Sequence, residues 1–483
     1  MHGPPRRIAA TIGACGSHHL LEVAFQPMTE ANPLTDLLAC PRCDQGLTST
    51  DDRWHCAGCH VDFPRIAGLP WLFAEPGAAL GEWRGRLHFS VQRFERDRRQ
   101  LAEALAGKDL SAATRARLEH LERTAADHTV RLRALLAPLE IDQQQAGVET
   151  YLALRTRLPP DQGLTTYSAN VHRDWCWGAE ENDASFDILA AALGDTLPGR
   201  VLVLGAGAGR LAYDLHERTA ATCTTALDFN PFLLFVAERV TRGESLELYE
   251  FPLAPRSVAE HAVLRTLAAP APARPGLGFV LADVHRPPFR RGAFDTVVTP
   301  WLVDILPEPF ETQCARVNAL LADGGRWLNF GSLSFHDPDP RRRYGIDECV
   351  AALEDNGFGT ITVTEHDIPY LCSPASRHAR HEHVVSWSAV KQRDVKKVPR
   401  HQALPDWLVR GSDPVPLSDA FRTQATATRI HAFLMSMIDG RRSIKDMAKL
   451  VVEQRLMSAA EAEPAIRSFL IKMYDDSRRG TTY

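Results

Sequence analysis

The sequence lacks any run of about 20 apolar residues, the length that a membrane-spanning helix requires, and it contains no internal repeat. Its first 20 residues include two Arg but no sustained apolar stretch, so we expect neither a secretory signal nor a membrane partner. We therefore expect a cytoplasmic protein whose ten Cys stay reduced. In a reducing compartment, clustered Cys bind metal ions more often than they form disulfides.

Lysine is scarce in most of the chain, since six of the seven Lys lie in residues 391–483. That segment carries 17 Lys and Arg against 11 Asp and Glu, which leaves 38 against 49 in residues 1–390. The larger part is thus acidic and does not favour a nucleic-acid partner. With 45% hydrophobic and 24% charged residues among 483, the chain has the composition of a folded protein of about three domains.

Composition and hydrophobic periodicity divide the chain into six parts. Residues 185–390 alternate β-rich apolar runs with helical patterns, which predicts an α/β fold with a doubly wound, Rossmann-like sheet. The predicted parts are a flexible leader (1–33), a cysteine-rich ribbon (34–75), a helical segment (80–160), the α/β domain (161–391), a linker (392–415) and a small helical domain (416–483).

Two CxxC motifs separated by twelve residues predict a metal site. Two residues between thiolates allow a tight turn to direct both sulfurs at one ion, and two such turns complete a tetrahedral four-sulfur site. We expect structural Zn²⁺ on Cys40, Cys43, Cys56 and Cys59. A redox-active CxxC or four unrelated thiols are the alternatives, but a closed four-thiolate site leaves no reactive open position.

The residues around these motifs have a recognisable pattern. Leu34–Cys43 and Phe63–Phe73 resemble small zinc-ribbon proteins that bind and activate tRNA and protein methyltransferases, in which a hydrophobic-P-x-x-x-G-I-P pattern follows the last cysteine pair. The resemblance implies a ribbon that acts on the enzyme to which it is fused. A ribbon that only stabilises the N-terminal region is the alternative.

A glycine loop after an apolar strand predicts a nucleotide-type cofactor site. Gly205, Gly207 and Gly209 let the backbone turn sharply and approach a ligand at the start of a helix. Asp228 ends the next strand, 23 residues after Gly205, where a carboxylate can accept hydrogen bonds from both ribose hydroxyls. Asp283 ends a third strand, where it can accept from an adenine amino group. Nicotinamide-dependent dehydrogenases begin with a similar loop and are the alternative at this point.

The order of the motifs resembles class I S-adenosylmethionine-dependent methyltransferases. An F-D-x-V motif at Phe294–Val297 and an L-x-x-G-G motif at Leu321–Gly325 follow the glycine loop and the two acidic positions. The resemblance implies that the cofactor is S-adenosyl-L-methionine. We expect Asp295 to be a structural residue at the start of its strand.

Further motifs resemble the carnosine N-methyltransferase family, whose members methylate the imidazole of a histidine-containing dipeptide. These motifs are Arg173–Trp175 followed by Glu180-Glu181, Thr299–Asp304, Trp327–His336 and Pro369-Tyr370. The likeness spans roughly residues 150–391. It implies that Trp175 and Arg210 contribute to cofactor binding.

The same resemblance assigns residues on the substrate side. It implies that Asp304 faces the imidazole and that His336 and Tyr370 contact the substrate. A second substrate-contacting tyrosine of the family falls at Glu382, where an acidic group would prefer a cationic substrate end. Asp228 stands where the family usually has Glu.

These residue types suit methyl transfer to an imidazole. A neutral imidazole nitrogen is already a nucleophile, so the enzyme mainly has to align it with the sulfonium methyl group. A carboxylate at the other ring N–H fixes the tautomer and stabilises the imidazolium that forms. We expect Asp304 to be this catalytic group, and a helix cap at the end of its strand is the alternative.

Residues 416–483 have the pattern of three short helices. Ser443 and Ser458 are candidate N-caps, the second with Glu461 as its capping-box partner. The motif D-G-x-R-S-I-x-x-M-A resembles winged-helix domains, including peptide-binding domains of peptide-modifying enzymes. An oligomerisation or docking module, which would allow a homo-oligomer, is the first interpretation; peptide recognition is the second and DNA binding the third.

For the whole chain we expect an N-methyltransferase that acts on an imidazole nitrogen of a histidine-derived small molecule or peptide. The alternative is a methyltransferase-like scaffold, in which the ribbon and the C-terminal domain recognise a peptide or another macromolecule.

Overall fold

The computed structural model describes residues 34–140, 167–337, 339–396 and 414–479. The chain forms two compact units, Met1–Arg400 and His401–Tyr483. The predicted leader, the end of the predicted helical segment (141–160) and most of the predicted linker lie outside the described residues. Within the described residues, no helix is both long and apolar enough to cross a membrane.

The cysteine-rich segment folds into a small antiparallel sheet, called here the ribbon (residues 34–75). Its strands are β1 (Thr48–Ser49), β2 (Arg53–Cys56), β3 (Val61–Ile66) and β4 (Leu69–Pro70), paired in chain order. Ala67 and Gly68 have φ values of 53° and 82°, which suit the two-residue turn between β3 and β4. Trp54 and Phe63 pair across β2 and β3 and are fully buried. The ribbon therefore has an apolar face as well as its cysteines.

Two long helices follow the ribbon. They are α1 (Pro76–Leu105) and α2 (Ala112–Leu136). Pro76 lies in the first turn of α1, where no intrahelical backbone donor is needed. Leu87 and Val91 of α1 are buried, as their helical spacing predicts. The two helices form a hairpin that packs against the α/β domain.

A seven-stranded sheet forms the centre of the first unit. The strands of this unit are β5 (Arg200–Leu204), β6 (Cys223–Asp228), β7 (Leu246–Glu250), β8 (Val263–Leu267), β9 (Leu277–Leu281), β10 (Phe294–Pro300), β11 (Leu321–Gly331), β12 (Phe358–Tyr370) and β13 (Arg380–Lys391). The sheet order is β12-β13-β11-β10-β5-β6-β9, and only β13 runs antiparallel to the rest. β7 and β8 form a separate hairpin. The predicted doubly wound, Rossmann-like α/β fold is confirmed.

Helices cover both faces of this sheet. The helices are α3 (Ser168–His172), α4 (Ala179–Leu193), α5 (Arg210–Arg218) and α6 (Pro231–Thr241) on one face, with α1 and α2, and α7 (Phe310–Leu320) and α8 (Ile346–Asp355) on the other. A π-helical turn, Arg173–Trp177, joins α3 to α4. Alternate residues of β5 point to opposite faces of the sheet. Val201 and Val203 belong to the apolar core on the face covered by α1 to α6, and Leu202 and Leu204 belong to the core on the face covered by α7 and α8.

The ribbon covers part of the second face, where the chain places no helix. The connection from β9 to β10, residues 282–293, is not helical, whereas α5, α6, α7 and α8 fill the other connections between β5 and β12. Leu38 and Trp54 of the ribbon belong to the same apolar core as Leu202 and Val280 of the sheet. The ribbon therefore takes the place of a crossover helix.

Backbone hydrogen bonds join the ribbon to the edge strand β9 and to the loop after it. Leu72 N donates to Leu281 O at 2.8 Å, and Ala39 N donates to Pro288 O at 2.9 Å. The loop between these two acceptors carries Asp283. Both ends of that loop are thus held by the ribbon.

The described residues of the second unit, 414–479, form three helices. They are α9 (Asp419–Ser436), α10 (Ile444–Glu453) and α11 (Ala459–Arg479). Ser443 Oγ accepts from Asp446 N at 3.2 Å and caps α10, and Ser458 Oγ donates to Glu461 at 2.7 Å at the start of α11. The buried core consists of Leu434, Met437, Met447, Ala448, Val451, Ala462 and Ile466. The described residues of this unit include no strand, so the winged-helix likeness stays a prediction.

Candidate functional site

The acidic and aromatic residues predicted to bind cofactor and substrate lie where the parallel strands of the sheet have their carboxyl ends. Asp228, Asp283 and Asp304 lie at or just beyond the carboxyl ends of β6, β9 and β10. Tyr370 ends β12, and Glu382 lies near the start of β13, which begins at that edge because it is antiparallel. Open α/β sheets bind ligands at this edge, where the direction of the strand order changes, here between β5 and β10.

The glycine loop between β5 and α5 requires its glycines. Gly205, Gly207 and Gly209 have φ values of 68°, 58° and 87°, which favour residues without a side chain. A Cβ atom on Gly205 would lie 2.9 Å from Leu302 Cδ1, and one on Gly209 would lie 2.9 Å from Ala237 Cβ. A Cβ on Gly207 would meet nothing within 4 Å. The open space before Gly207, at the N-terminus of α5, suits a ligand that accepts hydrogen bonds.

Asp228 anchors this loop from the end of β6. Its Oδ2 accepts a hydrogen bond from Gly207 N at 2.8 Å, and its Oδ1 accepts one from Asn230 N at 2.9 Å. Burial raises the pKa of Asp228 to about 6, although the backbone hydrogen bonds lower it. Because each carboxylate oxygen has a further lone pair, Asp228 can still accept from ribose hydroxyls.

The π-helical turn between α3 and α4 supports the glycine loop from the other side. Trp175 Nε1 donates to Ala208 O at 2.8 Å. Arg210 donates through Nη1 to Asp174 O at 3.0 Å and through Nε to Asp214 Oδ2 at 2.8 Å. Trp175 and Arg210 therefore position the loop, and direct contact of either with a cofactor stays a prediction. The side chain of Asp174 also contacts the loop, because its Oδ2 accepts from Arg210 N at 3.4 Å, a positioning role that sequence reasoning missed because it depends on long-range packing.

Asp283 lies in the loop that the ribbon holds. Its Oδ1 accepts a hydrogen bond from His285 N at 2.9 Å and lies 2.8 Å from His285 Nδ1. Burial would raise the pKa of Asp283, but the hydrogen bonds and charge of His285 outweigh it and lower that pKa. The side chain is 41% exposed. An ionised, accessible carboxylate is what contact with an adenine amino group requires.

Asp304 is fixed to the segment that follows β11. Its Oδ2 accepts hydrogen bonds from Ser332 Oγ and Ser334 N, each at 2.7 Å. Both hydrogen bonds that the described residues donate to Asp304 end on Oδ2, so Oδ1 keeps its lone pairs for another donor. The helix that follows, α7, has Pro309 as its N-cap, so Asp304 does not cap it.

His336 lies on the same segment as the two serines that hold Asp304. Its Nε2 lies 2.9 Å from Ser334 Oγ, and its side chain is exposed. The structure thus links His336 to Asp304 through one serine. Its contact with a substrate stays a prediction.

An aromatic pair lies beside the stretch of chain that leads from the end of β10 to Asp304. Trp301 follows β10 directly, and its ring centroid lies 4.8 Å from that of Tyr370. Trp301 has a φ of 50°, a left-handed conformation that costs energy for a bulky residue and clusters at functional sites. Its backbone N–H donates to Phe330 O at 2.7 Å, which holds the turn. Sequence reasoning did not assign a role to Trp301, although Trp301 lies within the Thr299–Asp304 motif.

Charged side chains flank Tyr370 on two sides. The guanidinium carbon of Arg380 lies 4.5 Å from the centroid of the Tyr370 ring, and Arg380 Nε forms an ion pair with Glu382 Oε1 at 2.7 Å. On the other side, Glu181 Oε2 accepts from Leu371 N at 2.7 Å. Burial raises the pKa of Tyr370, so its hydroxyl stays protonated at neutral pH. Glu382, predicted to meet a cationic substrate group, already has a cationic partner.

The four predicted metal ligands come together in the ribbon. The Sγ atoms of Cys40, Cys43, Cys56 and Cys59 all lie within 4.8 Å of one another. The distance from Cys43 Sγ to Cys56 Sγ is 3.5 Å, and that from Cys40 Sγ to Cys59 Sγ is 4.0 Å. A tetrahedral Zn²⁺ with Zn–S bonds of about 2.3 Å requires sulfurs about 3.8 Å apart. The donor set and its spacing therefore fit Zn²⁺.

A protein-family model matches the part of the chain that forms the α/β domain. Residues 163–393 match the family model described as carnosine N-methyltransferase, which confirms the resemblance in the sequence. The match covers slightly less than half of the chain. No curated protein matches the sequence. The family match and the strand order together support S-adenosylmethionine-dependent N-methylation by the α/β domain.

Several solved structures are similar to the chain at low identity. One is the YcgJ protein from Bacillus subtilis, with 13% identity and a TM-score of 0.32, covering 44% of this chain and 99% of that chain. Another is phosphoethanolamine N-methyltransferase 2 from Haemonchus contortus in complex with S-adenosyl-L-methionine, with 14% identity, a TM-score of 0.30, and coverage of 44% and 53%. A third is the N-methyltransferase NodS from Bradyrhizobium japonicum, with 12% identity, a TM-score of 0.31, and coverage of 44% and 97%. The chain thus spans about half the length of the Haemonchus enzyme.

Proposed function

We propose that this protein transfers a methyl group from S-adenosylmethionine to an imidazole nitrogen of a histidine-derived small molecule or peptide. The observation that carries the proposal is the placement of Asp304, whose Oδ2 is fixed by two hydrogen bonds while Trp301 and Tyr370 lie next to its segment. The match of residues 163–393 to carnosine N-methyltransferases supports the same substrate class.

The cofactor assignment uses the residues around the glycine loop. S-adenosylmethionine, when bound, supplies the methyl group from a positively charged sulfur. We assign its nucleoside to the space before Gly207, with Asp228 accepting from the ribose hydroxyls and Asp283 from the adenine amino group. Asp228 is mostly ionised at neutral pH, because its pKa is about 6. Trp175 keeps the loop in position through its hydrogen bond to Ala208 O.

Asp304 selects the reactive form of the substrate. The attacking imidazole nitrogen must carry a lone pair, so the ring proton resides on the other nitrogen. Asp304 Oδ1 accepts this N–H bond and so fixes the tautomer. As the new N–C bond formed, the bond from the methyl group to sulfur would break and leave the sulfur as an uncharged thioether, so the positive charge would pass to the ring, where the Asp304 carboxylate would stabilise it. Loss of the N–H proton to water, by way of Asp304, leaves a neutral N-methylimidazole.

Trp301 and Tyr370 hold the ring. Their side chains exclude water from the imidazole, and Trp301 stabilises its positive charge after methylation by cation–π attraction, because Arg380 already lies over the ring of Tyr370. Tyr370 keeps its hydroxyl proton, because burial raises its pKa, and can donate a hydrogen bond to the substrate. We assign the exposed His336 to a part of the substrate farther from the ring.

We propose a structural role for the ribbon. Four thiolates complete the coordination of Zn²⁺ and leave no position for a substrate. The ion would fix the two cysteine turns and, through Ala39 and Leu72, the loop that carries Asp283. The ribbon would thereby support cofactor binding without contact with the reacting atoms.

A methyl-transfer assay tests the proposed reaction. Purified protein and labelled S-adenosylmethionine are incubated with histidine, a histidine-containing dipeptide and a short histidine peptide, each beside a matched compound with alanine in place of histidine. We expect transfer to the histidine compounds only. Asp304→Asn should lower kcat by about 10²–10³-fold with cofactor affinity unchanged. Transfer to the alanine compounds, or full activity of D304N, would contradict the proposal.

A further inference from the structure

A buried glutamate lies between the strand that ends at Tyr370 and the turn that supports the glycine loop. Glu181 is in the first turn of α4, and 6% of its side chain is exposed. Its Oε2 accepts a hydrogen bond from Leu371 N at 2.7 Å, and its Oε1 accepts one from Arg173 Nη1, also at 2.7 Å. The two oxygens of one carboxylate thus contact both sides of the candidate site.

Short contacts continue from Glu181 to the glycine loop. Arg173 Nε pairs with Asp174 Oδ1 at 2.7 Å, and 3% of the Asp174 side chain is exposed. Arg210, the first residue of α5, donates through Nη1 to Asp174 O at 3.0 Å and through its backbone N–H to Asp174 Oδ2 at 3.4 Å. Water and salt screen buried charges weakly, so these groups hold one another firmly. A chain of paired groups therefore connects the end of the glycine loop to Glu181.

On the substrate side, Leu371 has a conformation that needs support. Its φ is 50°, in the left-handed region that is unfavourable for a bulky residue. A residue keeps such a conformation only when its surroundings fix it. The hydrogen bond from Leu371 N to the Glu181 carboxylate is charge-assisted and hence stronger than one to a neutral acceptor. Loss of this bond would favour relaxation of Leu371 to a negative φ, which would turn the preceding residue, Tyr370.

We propose that Glu181 is a positioning residue through which S-adenosylmethionine and the substrate favour each other's binding. The inference rests on the proposed function, because it takes Tyr370 as part of the substrate site. When the cofactor occupies the glycine loop, Arg173 holds Glu181 in the orientation that supports Leu371. Tyr370 then lies against Trp301, with 4.8 Å between the ring centroids. The substrate site is thus complete only when the methyl donor is present.

A purely structural role for Glu181 predicts a different result. Loss of a structural residue would weaken the binding of both ligands without changing how the affinity for one depends on the other. The coupling factor between two ligands is a ratio of affinities, so a general loss of stability cancels from it. The coupling factor therefore separates the two roles.

Calorimetric titrations of the full-length protein measure this factor. S-adenosylhomocysteine, the cofactor without its transferable methyl group, replaces S-adenosylmethionine, so no transfer takes place. The acceptor is 4-methylimidazole, because it offers the ring alone. For the wild type we expect 4-methylimidazole to bind about 10-fold more tightly when S-adenosylhomocysteine is saturating. Glu181→Gln keeps the size of the side chain but removes its charge, and it should lower this factor to about 2-fold or less.

Two further variants complete the test. Asp187→Asn is the matched control, because Asp187 lies on the same helix, is 70% exposed and pairs with Arg218 at 3.5 Å. D187N should keep the wild-type factor. Asp174→Asn interrupts the chain of paired groups at another point and should lower the factor as E181Q does. A wild-type factor in E181Q, or in D174N where E181Q does not fold, would overturn the proposal, even if both ligands bind more weakly.

The same titrations distinguish this inference from the proposed function. Equal affinity for 4-methylimidazole with and without S-adenosylhomocysteine in the wild type would reject the coupling and leave imidazole methylation standing. No binding of 4-methylimidazole under either condition would reject the proposed function and this inference with it, because both require a site for the ring.

Discussion

Leu38→Ala tests whether the ribbon is part of the core of the α/β domain. Leu38 is fully buried, pairs with Phe289 in an isolated bridge, and shares an apolar core with Leu202 and Val280 of the sheet. The substitution removes three carbon atoms from this core, on a face where the β9–β10 connection supplies no helix. Replacement of a buried leucine by alanine costs about 2–5 kcal/mol, so we expect the first unit to lose about 3 kcal/mol of unfolding free energy.

Urea unfolding monitored by circular dichroism measures this loss. Leu197→Ala is the matched control, because Leu197 is 75% exposed, and it should change the free energy of unfolding by less than about 0.5 kcal/mol. We also expect L38A to weaken S-adenosylmethionine binding, since the next residue, Ala39, holds the loop that carries Asp283. If L38A only adds a separate early transition and leaves cofactor affinity unchanged, the ribbon is an independent module and the reasoning is refuted.

Three other perturbations have defined outcomes. Cys56→Ser removes one of four sulfur ligands, so elemental analysis should find one Zn²⁺ per chain in the wild type and none in the variant; an equal Zn²⁺ content in both would contradict the site. Trp175→Phe leaves Ala208 O without its 2.8 Å donor and should weaken S-adenosylmethionine binding about 10-fold by calorimetry, and an unchanged Kd would show that this hydrogen bond does not position the loop. Burial lowers the pKa of His128 and of His172 to about 4, below the usual value of 6.5, so the fold keeps both neutral and loses stability as the pH falls from 6.5 towards 4. We expect about 2 kcal/mol per histidine between pH 6.5 and 5, and His128→Phe should flatten the measured dependence; an unchanged slope would contradict this assignment.

The glycine loop between β5 and α5 was predictable because the residues that indicate it are close together in the sequence. A strand, three glycines and a helix start follow one another directly, and Asp228 comes at a fixed distance, at the end of the next strand. The cysteine cluster was equally accessible, since each CxxC turn brings two sulfurs together without help from the rest of the fold. The alternation of strands and helices likewise predicted the Rossmann-like sheet.

The resemblance of the ribbon to methyltransferase activators implied that it acts on the enzyme, but the place where it docks was not predictable, because docking depends on contacts between distant parts of the chain. Nothing in the sequence near Leu72 indicates that its backbone pairs with Leu281 on the edge of the sheet. The non-helical β9–β10 connection gives a physical reason for this docking, because it leaves an apolar face that some other element has to cover.

The residues on the substrate side of the site were predictable only in part. Arg380 and Glu382 are two residues apart on one strand, so the period of a strand already places them on one face. The register of β12 against β13, which puts Tyr370 opposite Arg380, is a property of the folded sheet. The left-handed conformation of Trp301 follows from its packing against the end of β11, because its N–H bonds to Phe330 O.

The position of the methyl group in the product tests the central claim most directly. Wild-type protein is incubated with S-adenosylmethionine and imidazole-4-propionate, and the product is analysed by mass spectrometry and NMR. We predict a single added methyl group on a ring nitrogen, formed about 10²–10³-fold more slowly when Asp304→Asn replaces the wild type. A methyl ester or a methylated ring carbon, or transfer only to compounds that lack an imidazole, would contradict imidazole N-methylation.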